Sequence, residues 1–151
     1  MDSIDAKILE VLQQNCRISL SDLSKRVNLS VSAVSERIKK LDNSGIVEEY
    51  TAIINPRAMR KDLAVLMQVS IDVTHDESRF FKLVAENEDI LECHHVTGEY
   101  DYVLKIITED TSTLESLVSK VKSIPGVRGT QTNVFLSTLK NRHSVAPVAN
   151  K

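Results

Sequence analysis

The spacing of helix-start signals in the first 55 residues constrains the fold more than any other feature. Ser19 resembles the first residue of a capping box, with Asp22 in place of the usual Glu, and Ser30 can cap a further helix. Asn28 lies between them, where the chain needs a left-handed backbone that Asn tolerates. The sequence therefore predicts two helices, over 19–27 and from Ser30 to about Asn43, joined by about three or four residues, the connection of a helix-turn-helix.

Further elements complete a small N-terminal module. Asp2 is the predicted N-cap of a first helix, whose apolar side is formed by Ile4, Ile8, Val11 and Leu12. Gly45 is predicted to end the third helix. The β-branched segment 46–54 is predicted to be a small strand or ribbon, closed by Pro56. This order of elements predicts a winged helix-turn-helix domain over residues 1–55.

The hydrophobic pattern changes at Leu63, where strands begin to alternate with helices. The predicted order is β-α-β-β-α-β, over residues 63–73, 76–87, 91–97, 102–108, 111–123 and 127–139. That order is typical of a ferredoxin-like module, so the fold class is α+β. Residues 56–62 are the predicted linker, 63–139 the ligand-binding and oligomerisation domain, and 140–151 a frayed tail. Only one face of such a sheet carries helices, which favours a homodimer.

The charge is distributed unevenly along the chain. Its net charge is −2, but segment 17–40 holds six basic and two acidic residues, whereas 64–139 holds 12 acidic and six basic ones. This asymmetry predicts two modules with different partners. The sequence has neither an apolar run of about 18 residues nor a signal-peptide pattern. Cys16 and Cys93 are in contexts predicted to be buried, so the expected compartment is a reducing cytoplasm.

The motifs do not favour a metal site or an enzyme. His94 and His95 point to opposite faces of a strand, and Cys93 shares a face with His95 only. The sequence has no Gly-rich phosphate loop and no nucleophile elbow. No metal, no cofactor and no catalytic residue is therefore predicted.

The third predicted helix separates an apolar side from a polar one. The residues predicted to contact DNA are Ser32, Ala33, Ser35, Glu36, Arg37, Lys39 and Lys40. Small residues near the start of the helix allow close approach to base edges, and the three cations can contact phosphates. Glu36 is expected to accept a hydrogen bond from a cytosine amino group or to pair with Lys39 or Lys40. A solvated basic surface helix is the alternative interpretation.

Several motifs resemble those of the Lrp/AsnC (feast/famine) regulators. In the first module these are residues 5–9, 17–19, 23–27, 29–30, 36–41, 45–47 and 50–52. Residues 92–102 are similar to the effector-site signature of that family, and 125–127 and 130–132 to its last helix-to-strand connection. Val31 stands where many members have Pro, a departure expected to cost little, because Pro there only preorganises the turn.

The resemblance implies a sequence-specific DNA-binding transcription regulator that responds to an amino acid. It implies dimers that pack their sheets face to face, assemble into tetramers or octamers, and bind the effector between neighbouring dimers. The implied effector residues are Gly98, Tyr100, Asp101, Thr132 and Val134. Backbone N–H groups near Gly98 would hold the carboxylate, and Asp101 would pair with the ammonium.

Two other functions and one structural interpretation stay open from the sequence. In the structural interpretation, Gly98 only supplies the turn conformation, Tyr100 is only a core residue and Asp101 only caps the turn. The chain could be a catalytic relative similar to the sirohaem decarboxylases, using His94 or His95. It could also be an amino-acid sensor that does not bind DNA.

Overall fold

The computed structural model describes residues 1–72 and 74–148, which divide into two compact units. Unit 1 contains Met1–Ile53 and the described part of Lys140–Lys151, and unit 2 contains Ile54–Leu139. Val73, the last residue of the first predicted strand, and 149–151, the end of the predicted tail, lie outside the described residues.

Unit 1 holds three helices, each of which starts at a side-chain cap. They are α1 (Ser3–Gln14), α2 (Leu20–Val27) and α3 (Val31–Asn43). The side chains of Asp2, Ser19 and Ser30 accept hydrogen bonds from the first-turn N–H groups, which otherwise lack partners. Asn28 has φ 55°, the predicted left-handed turn between α2 and α3. The predicted helix-turn-helix is therefore confirmed.

The three helices of unit 1 bury one apolar side each in a common core. Its buried members are Ile8, Leu9, Leu12, Leu23, Val27, Val34 and Leu41. Each such side chain contributes about 1.5–3 kcal/mol on full burial. The described tail returns to this unit, where the main-chain N–H and C=O of Val145 hydrogen-bond the Gln13 side-chain amide at 2.6 and 2.9 Å.

Two predictions for unit 1 were wrong. Segment 46–54 forms no strand. Within the described ranges no second strand of unit 1 lies beside it, and a strand without a partner cannot form ladder hydrogen bonds. Its side chains are accordingly open to solvent, with Ile53 65% exposed. Cys16 is also exposed rather than buried, because it follows the C-terminus of α1 at the surface, and Cys93 is half-buried.

Unit 2 has the predicted ferredoxin-like order after a 3-10 turn at Pro56–Met59. Its elements are β1 (Leu63–Ile71), α4 (Ser78–Glu86), β2 (Ile90–His95), β3 (Tyr102–Thr108), α5 (Thr111–Lys122) and β4 (Val127–Val134). The strands form one antiparallel sheet in the order β2-β3-β1-β4. The predicted strand 127–139 ends early, at Val134, because β1 offers its last pairing to Phe135 through the Ala64 carbonyl.

Helices α4 and α5 cover one face of this sheet and leave the other open. Alternate residues of β1, from Val65 to Ile71, are buried among the helices with Phe80, Leu104, Ile106, Leu117 and Val121. Leu66 and Val103 lie on the opposite, half-buried face. No helix in the described ranges has the length and hydropathy needed to cross a membrane.

Candidate DNA-binding and ligand-binding sites

The outer side of α3 presents most of the predicted DNA-contacting residues. Ser32, Glu36, Lys39 and Lys40 are exposed, and Ala33 and Ser35 are half-buried near the start of the helix. The buried side chains of Val34 and Leu41 hold the opposite side of α3 in the core of unit 1. Glu36 forms no ion pair with Lys39 or Lys40 among the described residues, so its carboxylate is free to face a ligand.

Arg37 has a different environment from the other predicted residues. Its Nη1 donates to Asp2 Oδ2 and to Asp5 Oδ1, both at 2.6 Å. Two carboxylates at the start of α1 therefore hold one guanidinium nitrogen of Arg37, and its phosphate contact stays a prediction.

The hydrogen bonds that Asp2 accepts make the stability of unit 1 sensitive to strong acid. The Asp5 backbone N–H, and then Arg37, lower the pKa of Asp2 from 3.8 to about 2. Because the folded pKa is depressed, this stabilisation is full above pH 4 and is lost as the pH falls toward about 2. We expect thermal melts of the wild type and of Asp2→Asn, which keeps a capping side chain, to converge over that range. A difference in melting temperature that stays constant from pH 6 to pH 2 would contradict this assignment.

The predicted effector residues lie at several places in unit 2. Gly98 has φ 134° in the β2–β3 connection, a conformation that favours glycine. Asp101 Oδ2 accepts the N–H of Ile71 at 2.7 Å and the hydroxyl of Ser70 at 3.3 Å. The Tyr100 hydroxyl donates to Gln131 Oε1 at 3.1 Å. Asp101 therefore ties the start of β3 to the end of β1.

Thr132 and Val134 lie on β4, outside the β2–β3 connection that contains the other three residues. They pair with Met67 and Val65 on β1, so they lie on the helix-bearing face of the sheet. Gln131, which holds Tyr100, points to the other face. Tyr100 therefore contacts a residue of the open face, whereas Thr132 and Val134 lie on the helix-bearing face.

Of the five predicted effector residues, only Asp101 lines the cleft of about 560 Å³ at the start of α4. The other lining residues were not predicted, and they include His75, Glu77, Phe81, His95 and Tyr102. The Tyr102 hydroxyl donates to Glu77 Oε2 at 3.0 Å, and the His95 ring stacks on Tyr102 with ring centroids 5.0 Å apart. His95 and Tyr102 belong to the 92–102 motif, which was their signal in the sequence, whereas the lining residues from α4 and the segment before it depend on the tertiary fold.

His94 and His95 lie on opposite faces of β2, as predicted. His94 Nε2 lies 3.2 Å from Glu92 Oε2 on the open face, where Lys105 Nζ donates to Glu92 Oε1 at 2.6 Å. Lys105, and then His94, lower the pKa of Glu92. Within the described ranges, no three His, Cys, Asp or Glu side chains form a group that could hold a metal ion.

Comparison with known proteins assigns both units. A family model described as winged helix-turn-helix DNA-binding matches residues 1–48, and one described as the Lrp/AsnC ligand binding domain matches residues 64–145. The chain belongs to the Lrp/AsnC family. It therefore combines a DNA-binding unit with a ligand-binding unit, which is the arrangement of a transcription regulator.

Relatives across the family cover nearly the whole chain. The HTH-type transcriptional regulator FL11 of Pyrococcus abyssi is 36% identical over 93% of this chain and 92% of its own length. The leucine-responsive regulatory protein of Escherichia coli K12 is also 36% identical, over 93% of this chain and 87% of its own. The crystal structure of a Neisseria meningitidis transcriptional regulator in complex with L-Met superposes with a TM-score of 0.92, at 34% identity over 96% of both chains.

Proposed function

We propose that this Lrp/AsnC regulator inserts α3 into the major groove of specific DNA sites and changes its DNA affinity or oligomeric state when an amino acid binds. The exposed outer side of α3, with small residues first and lysines after them, is the observation that carries the proposal. In this arrangement Ser32, Ala33 and Ser35 approach base edges, whereas Lys39 and Lys40 contact phosphates. Glu36 accepts a hydrogen bond from a cytosine amino group.

The open sheet face supports the proposal of a homodimer, and of larger assemblies built from it. Leu66, Val103 and Ile107 are apolar side chains of this face on β1 and β3, and Lys105 lies among them, opposite Leu66. A second copy covers this face and brings two α3 helices to a spacing of about 34 Å, one turn of DNA.

The spread of the predicted effector residues supports a ligand site shared between copies. Gly98, Tyr100 and Asp101 come from one copy and Thr132 and Val134 from another, so neither copy holds a complete site. One oxygen of Asp101 serves the backbone of β1, and the other pairs with the ligand ammonium. That the regulator from Neisseria meningitidis is in complex with L-Met supports an amino acid as the ligand class.

We also propose that the protein is a cytoplasmic regulator rather than a catalyst. His94 pairs with Glu92 on the open face, and His95 stacks on Tyr102 on the other. The catalytic alternative gives a role to His94 or to His95, and each of these side chains already contacts a neighbouring side chain. An exposed DNA-binding helix also has no role in a dedicated enzyme.

The experiment that tests this function measures binding of the purified protein to its own upstream DNA, at two salt concentrations, with and without the twenty amino acids. Salt-sensitive, sequence-selective binding that shifts with the amino acids is expected, and dividing the pool then identifies the effector. DNA binding that is unchanged by the twenty amino acids would contradict the proposed effector site. If neither this fragment nor genomic DNA binds, the sensor or enzyme function replaces the regulator.

Replacing both lysines of α3 is expected to weaken DNA binding and its salt dependence. Each phosphate contact contributes about 0.9 to the slope of log affinity against log salt, so Lys39→Gln with Lys40→Gln lowers the slope by up to about 1.8. Fluorescence anisotropy over a salt series measures both quantities. The control replaces Lys120 and Lys122, the two lysines at the end of α5. An equal loss of slope in that control would show that net charge, and not α3, determines binding.

A further inference from the structure

The contacts of Arg37 involve the two carboxylates that also cap α1. Asp2 Oδ1 accepts the N–H groups of Ile4 and Asp5 at 2.9 and 2.8 Å, and Asp5 Oδ2 accepts the N–H of Asp2 at 3.2 Å. The remaining oxygen of each carboxylate receives Arg37 Nη1 at 2.6 Å. The same two side chains therefore begin α1 and hold the middle of α3.

The contact between Arg37 and Asp5 is partly buried and has strict geometric requirements. The side chain of Asp5 is only 10% exposed and that of Arg37 is 31% exposed. An ionised carboxylate with so little access to water requires its partner, and a charge-assisted hydrogen bond has a narrow range of favourable distances and angles. The apolar contacts of Val34 and Leu41 hold α3 in the core but are not directional.

We propose that Arg37 is a positioning residue for DNA recognition, which sets the rotation of α3 through Asp2 and Asp5 and does not itself contact DNA. This inference rests on the proposed function, because it concerns the same helix. Lys39 and Lys40 follow Arg37 within one helical turn, so a rotation of α3 moves both ammonium groups relative to the phosphates. Loss of the α1 contact then weakens DNA binding from a distance.

Asp5→Asn separates positioning from simple charge effects. If only long-range electrostatics mattered, removing an acidic side chain from the DNA-binding unit would strengthen binding to a polyanion. Positioning predicts the opposite sign, with binding weaker by a factor between about 2 and 30, the range of coupling through a contact network. Arg37→Met is expected to weaken binding similarly, and Arg37→Lys, which keeps the charge, to weaken it less.

The control for Asp5→Asn is Glu10→Gln, which removes one negative charge from an exposed position of the same helix. Its DNA affinity is expected to equal or slightly exceed that of the wild type. The double variant Arg37→Met with Asp5→Asn is expected to bind no more weakly than Arg37→Met alone, because both changes break one contact.

The test is the dissociation constant for a duplex of the protein's own upstream DNA over a salt series, at a temperature where circular dichroism shows every variant folded. We expect Asp5→Asn and Arg37→Met to lose affinity with the salt slope unchanged. A slope reduced by about 0.9 in Arg37→Met, with unweakened binding by Asp5→Asn, would assign Arg37 to a phosphate and overturn the inference. Wild-type affinity in both folded variants would also overturn it, since the contact would then only stabilise the fold. Absence of wild-type binding would instead contradict the proposed function itself.

Discussion

Leu66→Glu is expected to convert the assembled protein into monomers of 16.9 kDa. Leu66 lies on β1 at the centre of the open sheet face, between Lys105 on β3 and Asn133 on β4. In a two-fold dimer each such substitution occurs twice. Because Leu66 is already half-buried in the free chain, losing the remaining burial of two leucines costs about 2 kcal/mol, about thirtyfold in the dimer dissociation constant, and burying two carboxylates adds a further penalty. Light scattering after size exclusion, over a range of protein concentrations, measures the change.

The controls separate dissociation from unfolding. Leu66 is half-buried in the free chain, so the substituted unit keeps its helix-covered core and its circular dichroism spectrum. Ser119→Glu adds the same charge at an exposed position of α5, on the other side of the sheet, and is expected to keep the wild-type mass. If Leu66→Glu also keeps that mass, the open face is not the dimer interface.

The helix-turn-helix could be predicted because its determinants are local. Ser19 and Ser30 cap helices within their own first turns, and the left-handed backbone at Asn28 depends only on that residue and its neighbours. The limits of the strands were harder to predict from the sequence, because they depend on pairing partners far along the chain. Segment 46–54 has strand composition but no partner in the described part of unit 1, and β4 ends where β1 can offer no further pairing.

In the candidate sites too, local features could be predicted from the sequence, and contacts between distant residues could not. The polar side of α3 follows from helical periodicity alone, so Lys39 and Lys40 were found correctly as exposed cations. The partners of Arg37, Asp2 and Asp5, lie 35 and 32 residues earlier in the chain, and helical periodicity does not predict contacts at that separation. The effector residues came from resemblance to a family. Strand alternation places Gln131, the partner of Tyr100, and Thr132 on opposite faces of β4.

Phe80→Ala is expected to destabilise unit 2 by about 3–5 kcal/mol. Phe80 is fully buried between α4 and the sheet, with its ring centroid 4.9 Å from that of Tyr102. The expected loss is a large share of the 5–15 kcal/mol that a typical domain has available. Urea unfolding followed by far-ultraviolet circular dichroism measures it as a lower midpoint for unit 2, with the transition of unit 1 unchanged.

Phe81→Ala is the matched control for Phe80→Ala, because it removes the same ring from the next residue of α4. Its side chain is 47% exposed, so the substitution removes less buried area and leaves no enclosed cavity. Both substitutions are measured in the Leu66→Glu variant, so that dimer dissociation does not contribute. The loss of unfolding free energy for Phe81→Ala is expected to be well below that for Phe80→Ala. Equal losses at the two positions would mean that the Phe80 ring does not anchor α4. Because Glu77, just before α4, bonds Tyr102 across the cleft, the anchoring of this helix also determines whether the cleft beside Asp101 keeps its shape.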